Sequence, residues 1–261
     1  MEITPPYGYG RIVPLEKHHR VLLPNLPAAG GGSVPAFAGR MNAMPISFSE
    51  FAVAGRDHPI IFTRAEGGAY SPLALLGLSD ERNLYVADGH WIAGSYVPAF
   101  ARRYPFCLSQ VMLDGVAQAE KLVCVDKSYI DHAGVALFAA DGTPTPRWTE
   151  RRQLLTEYEN DLEVTALMCA GLDKLGLFEP FTFQVTDGLR TQLQMGGLFR
   201  VDEARFTALK AASHKALAEK GWAARIYAHL FSLANFARLH ERALAVATAE
   251  AEKKKRAARS D

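Results

Sequence analysis

Between His90 and Phe106 the chain reads HWIAGSYVPAFARRYPF, which places five aromatic residues, two prolines and the adjacent pair Arg102–Arg103 in one short segment. A guanidinium group keeps its charge at any physiological pH, so an inward-facing arginine needs a carboxylate, a carbonyl or an anionic ligand. Pro98 fits the first turn of a short helix. Arg102 and Arg103 fall near its end, where cations suit the dipole, and Tyr104-Pro105 stops it. If one arginine points out, its neighbour points in. Internal partners such as Glu50 or Asp57 make the segment a structural clasp; a ligand carboxylate or phosphate makes it a binding site. Trp91, Tyr96, Arg102, Arg103 and Tyr104 are the candidate binding residues.

His90 and His240 are the candidate acid/base groups. His90 opens the arginine segment and His240 interrupts an apolar helical stripe, although a buried imidazole bonded to backbone or a carboxylate also accounts for His240. A metal centre is not expected. No HxxxH, HExxH or HxD pair occurs, and His18 and His19, as strand neighbours, would point to opposite faces. His229 and His240 on one continuous helix would stand about 16 Å apart. Cys107, Cys124 and Cys169 are widely spaced without a CxxC pair, and read as buried structural thiols. GxSxG and GxGxxG are both missing. The run Gly30 to Ser33 lacks the GK[ST] of a phosphate cradle and reads as a flexible insertion. The residues therefore imply no cofactor.

The supporting elements follow from periodicity. In the first half, 59–64, 83–87, 106–113, 121–126 and 135–139 are strand-like, punctuated by Asp-Gly turns at 88–89, 114–115 and 141–142. Ser47 and Glu50 fit a capping box. From Thr145-Pro146 the period changes to that of a helix, about 146–175, with Leu155, Tyr158, Leu162, Ala166, Cys169 and Leu172 on one face. The segment FTFQVTDGLRTQLQM then predicts a hairpin. A three-residue loop Thr186-Asp187-Gly188, with Gly188 left-handed, would pair Phe183 with Thr191 and Phe181 with Leu193. Helices at 203–220, capped by Asp202 and ended by Gly221, and at 222–247 close the chain. The expected fold is α+β, an antiparallel β-rich half (about 18–145) packed with a helical half (about 146–247) of three long helices and one hairpin. Both belong to a single domain over 1–250, with a charged tail at 251–261.

The 261 residues carry a formal net charge of +1, so no global field gathers nucleic acid or anionic membrane, and neither partner is expected. No apolar run reaches the roughly 18 residues of a membrane span. The opening MEITPPYGYGRIVP lacks the apolar core of a signal peptide, which predicts a cytoplasmic protein.

The segments MPISFSEFAVAGRDHPIIF (44–62), LLGLSDERNLYV (75–86), WIAGSYVPAFARRYPF (91–106), LVCVDKSYI (122–130), GLFRVDEARFTAL (197–209) and YAHLFSLANFARL (227–239) together resemble the SapC family of bacterial proteins. That resemblance implies a link to bacterial surface layers, and to neighbouring systems for uptake or modification. It supplies no catalytic residues. An intracellular helper reconciles a surface-layer link with a chain that shows no export signal. Two functions are therefore expected. The first is a non-catalytic accessory or recognition protein with a protein or peptide partner, bound along an exposed edge of the β half. The other is an enzyme acting on a small anionic substrate held by Arg102 or Arg103.

Overall fold

The computed structural model describes residues 2–113, 116–187 and 190–257. In chain order its strands are β1 (Glu2–Ile3), β2 (Ile12–Pro14), β3 (Arg20–Val21), β4 (Ala43–Pro45), β5 (Ile60–Arg64), β6 (Tyr70–Leu75), β7 (Val86–Ala87), β8 (His90–Trp91), β9 (Phe106–Leu113), β10 (Val116–Asp126), β11 (Val135–Ala136), β12 (Phe178–Asp187) and β13 (Arg190–Val201). The helices are α1 (Phe51–Ala54), α2 (Ala99–Arg102), α3 (Pro146–Lys174), α4 (Glu203–Thr207), α5 (Ala211–Glu219), α6 (Trp222–Ser232) and α7 (Asn235–Ala257). The fold is α+β, with antiparallel sheets in the first half and long helices towards the C-terminus.

One sheet runs β1-β9-β10-β2 and the other β12-β13-β5-β6-β4. The second draws its strands from both halves of the sequence. β5, IIFTR, is rich in β-branched residues, and Ile60, Ile61 and Phe62 are all buried, so both its faces are covered. One core cluster joins Tyr9, Trp91 and Cys107 of the β-rich part to Tyr158, Phe236 and Leu239 of the helices.

Several elements follow the sequence pattern. Thr145 caps α3, accepting Trp148 N–H, with Pro146 in its first turn. Ser47 and Glu50 form the capping box. At the turn between β7 and β8, Asp88 and Gly89 both take positive φ, 48° and 75°, as a type I′ hairpin requires.

Others differ. The segments 83–87 and 135–139 yield only two-residue strands, at 86–87 and 135–136. Among the described residues the C-terminal half holds five helices, not three. The expected helix 203–220 breaks after Thr207, and 222–247 breaks between Ser232 and Asn235, while α7 continues through the basic run to Ala257. On α3 the buried stripe drifts to Thr165 and Met168, and Ala166 is exposed.

The hairpin register also differs: Phe183 pairs with Met195 and Phe181 with Leu198. Two irregularities in β13 shift the pairing, one beside Gly197, whose φ of 72° suits a bulge. The conformation expected of Gly188, and the Asp114–Gly115 turn, lie outside the described residues.

Candidate functional site

Most of the segment from Trp91 to Phe106 is held by the rest of the chain, with Ala93 and Gly94 exposed. The glycine-rich loop runs along it and is not a free insertion. Gly31 N–H donates to Trp91 O at 2.8 Å, Trp91 N–H to Gly32 O at 2.9 Å, and Val97 N–H to Ala28 O at 2.9 Å. A Cβ on Gly32 would lie 1.8 Å from Asn25 O, so the close approach itself demands glycine. Trp91 is buried, its ring stacked on Tyr85 and edge-on to His58.

Two buried or half-buried carboxylates then receive the backbone. Asp57 accepts Tyr96 N–H at 2.8 Å. Glu50 Oε1 accepts Ala99 N–H at 2.7 Å and the Tyr96 hydroxyl at 2.9 Å, while Oε2 accepts Ser47 N–H and Oγ at 2.8 and 2.9 Å. Four donors around one carboxylate satisfy it without a counter-ion. Glu50 and Asp57 therefore do hold this segment, but through backbone amides and a tyrosine, not through an arginine.

Arg103 is the inward arginine, at 5% exposure. Its Nη1 meets Glu159 on α3 at 3.4 Å, and Glu159 also accepts Lys121 of β10 at 2.7 Å. The guanidinium lies against the rings of Tyr158, Phe100 and Tyr9, with centroids 4.9, 5.0 and 5.7 Å away. Arg103 is thus an internal clasp between α2, α3 and the four-stranded sheet.

Tyr104 is closed off as well. Its hydroxyl donates to Asp126 at 3.0 Å, and Asp126 also accepts Gly10 N–H and both donors of Ser128. Burial pulls the Asp126 carboxyl up, but these hydrogen bonds outweigh it and hold the group below its ordinary value.

Arg102 is the outward arginine. Nε donates to Val97 O at 3.0 Å and Nη2 to the Tyr96 hydroxyl at 3.2 Å. No described carboxylate lies within ion-pair distance of it. It borders a cavity of about 200 Å³ whose lining also includes Glu50, Glu157 and Asp161. Three carboxylates to one guanidinium make a poor trap for an anion.

The candidate acid/base groups do not join this cavity. His90 is exposed, with Nδ1 at the Asp88 carbonyl. His240 is half-buried on α7, and its Nδ1 meets no partner among the described residues. The two most buried histidines are His58, which sequence reasoning overlooked, and His229, which it weighed only as a metal ligand; burial pushes both imidazoles down to about 4. His18 and His19 sit in a turn, not a strand, so they need not face apart. Their ring centroids are 4.6 Å apart, beside Glu16.

A larger concave surface lies elsewhere. An open groove of about 950 Å³ runs between α4, the end of α6 and the base of the β12–β13 hairpin. Val201, Leu230 and Leu233 line it together with Glu179, Asp202 and Glu203. On α6 beside it, Tyr227 and Phe231 stack one turn apart with ring centroids at 6.2 Å, exposed by 46% and 76%. The signal was present in the sequence: the helical stripe of Ile226, Leu230 and Leu233 leaves these two aromatics on another face.

No curated protein and no solved structure matches the chain. The family model described as SapC matches residues 31–239. These span four-fifths of the sequence and include the clasp and the groove, and on that match the chain belongs to the SapC family.

Proposed function

We propose that this chain is a non-catalytic recognition protein of the cytoplasm, acting as accessory to a bacterial surface-layer, uptake or modification system. Its site is the α4–α6 groove, and its ligand is a peptide segment of a partner protein. One observation carries the reading: an open groove that Val201, Leu230 and Leu233 help to line, on the same helix, α6, that carries the stacked and exposed pair Tyr227 and Phe231. Exposed aromatics of this kind are enriched at protein interfaces.

The groove also selects by charge. Glu179, Asp202 and Glu203 line it against Arg200 alone, and Arg200 is already paired with Glu179 at 2.6 Å. An apolar anchor followed by lysine or arginine fits both features. Strand addition to the edge of the β half has less support at β1, β2 and β4, which have only two or three residues; the other edge of the five-stranded sheet is the ten-residue β12 of the helical half.

The test is selection of peptides from a random library on the purified chain, followed by affinity measurement on the winners. Apolar-basic peptides should be enriched. Phe231→Asp should abolish their binding, and Glu203→Lys should shift preference towards acidic sequences. Winners whose affinity ignores both substitutions would overturn the site. A small molecule of stoichiometric mass, retained in native mass spectrometry of protein from its own cells, would favour a small-ligand function instead.

A further inference from the structure

The chain leaves β2 at Pro14 and turns through Lys17 and His18 before β3 begins. His19 N–H closes that turn on Glu16 O at 3.0 Å. The backbone thereby sets three chemically competent side chains side by side. We propose that Glu16, His18 and His19 form a binding site for a divalent transition-metal ion such as Zn²⁺, Ni²⁺ or Cu²⁺.

The geometry is close to what such an ion needs. One ligand atom from each of the three residues lies within 4.8 Å of the other two. His18 Nδ1 and Glu16 Oε2 are 3.3 Å apart. That matches the edge of a tetrahedron with bonds of roughly 2.0–2.2 Å, about 3.4 Å. Closing the remaining distance takes small side-chain rotations, which the exposure of Glu16 and His18, 62% and 74%, leaves free. Among the described residues no other cluster of three such donors meets this condition.

The imidazoles are ready to ligate. His19 Nδ1 accepts the Glu16 N–H at 3.1 Å, so that nitrogen presents its lone pair inside the turn. An ion bound there displaces the N–H, which passes to solvent at small cost because the turn is exposed. Lys17 sends its ammonium over Gly142 in a separate turn.

The donor set chooses the metal. Two imidazole nitrogens and one carboxylate oxygen suit zinc, nickel or copper, whereas magnesium and calcium prefer oxygen alone. Three protein ligands leave a coordination position for water or for a donor from a second molecule.

The experiment uses the 261-residue chain without an affinity tag, stripped by chelator and titrated with Zn²⁺ by calorimetry and with Cu²⁺ by electron paramagnetic resonance. One equivalent of Zn²⁺ should bind, and Cu²⁺ should show two nitrogen donors. His18→Ala or His19→Ala should weaken Zn²⁺ by at least the ~10–100-fold seen on losing outer-shell support, and reduce the copper signal to one nitrogen. His132→Ala, an exposed histidine outside the cluster, should change neither. The absence of a stoichiometric isotherm, or an isotherm unaltered in the His18→Ala/His19→Ala double variant, would overturn the site. Circular dichroism verifies that each variant keeps its fold.

Discussion

His229 and Val201 meet where the five-stranded sheet would otherwise place a rung. Val201 donates its N–H to His229 Nε2 at 3.1 Å, and His229 Nδ1 donates to Ile60 O at 2.9 Å. Continuing the Phe199–Phe62 pairing by two residues would set Val201 opposite Ile60, so the imidazole bridges two strands that have separated. Ser232 completes the join by accepting Ile60 N–H at 2.8 Å and donating to the carbonyl of His229. Through this join α6 is stitched into the sheet next to the groove.

His229→Ala should therefore be costly. It orphans a buried N–H and a buried carbonyl, at about 1–3 kcal/mol each. His229→Leu should do no better, since restored volume supplies neither donor nor acceptor. Urea unfolding measures both, and a loss below about 1 kcal/mol for either variant would show that β5 and β13 close on each other without the ring.

Acid should unfold the protein through its buried histidines. His58 and His229 are fully buried, each with a ring nitrogen on a backbone carbonyl, and burial pushes both down to about 4. Above the ordinary value of 6.5, folded and unfolded chains are equally unprotonated and stability is level with respect to these groups. Below it the unfolded chain takes up protons that the fold refuses, so stability falls until the folded groups titrate near 4. Each histidine contributes about 1.4 kcal/mol per pH unit in that window. Denaturant unfolding at stepped pH should show the slope, reduced in His229→Gln. A stability constant from pH 6.5 to 4.5 would mean that the fold accommodates the imidazolium.

Much of the scaffold was legible because it rests on local rules. Thr145-Pro146, Ser47 with Glu50, and Asp88-Gly89 each specify their own turn of backbone. The hairpin register was not legible from alternation alone, since bulges in β13 move Phe183 from Thr191 to Met195. Gly196-Gly197 inside a strand pattern was the neglected sign. The clasp was half legible: the segment's confinement and an inward arginine follow from RRYP. The partner Glu159 lies 56 residues away on another element, a distance that local pattern does not span. The breaks in the last two predicted helices carry neither proline nor an internal glycine, so nothing local announces them.

The three cysteines should be inert in the native protein. Cys107 and Cys124 face each other across β9–β10, Cys169 is packed in α3, and all are buried free thiols. Burial raises all three, Cys124 to about 11 and Cys169 to about 12, so little thiolate exists at neutral pH. A thiol-reactive chromogenic reagent at pH 8 should titrate none of them in buffer and all three in denaturant. Rapid reaction of one thiol under native conditions would point to local opening of its element.

The two adjacent arginines should separate cleanly in stability. Arg103→Ala empties the space between Tyr9, Phe100 and Tyr158, and a large-to-small change at a buried site typically costs about 2–5 kcal/mol. Arg103→Met keeps that space filled and removes a buried charge whose Nε has no partner among the described residues. Glu159 retains Lys121, so the methionine variant should lose about 1 kcal/mol or less, as buried ion pairs replaced by apolar groups often do. Arg102→Ala gives up a half-exposed side chain bonded to one carbonyl and one hydroxyl, and should stay within about 1 kcal/mol of the parent. Thermal and urea unfolding of the three variants side by side decides the assignment. If Arg102→Ala proves costlier than Arg103→Ala, the clasp is formed by the cavity-facing arginine, and the apolar seat of Arg103 is incidental.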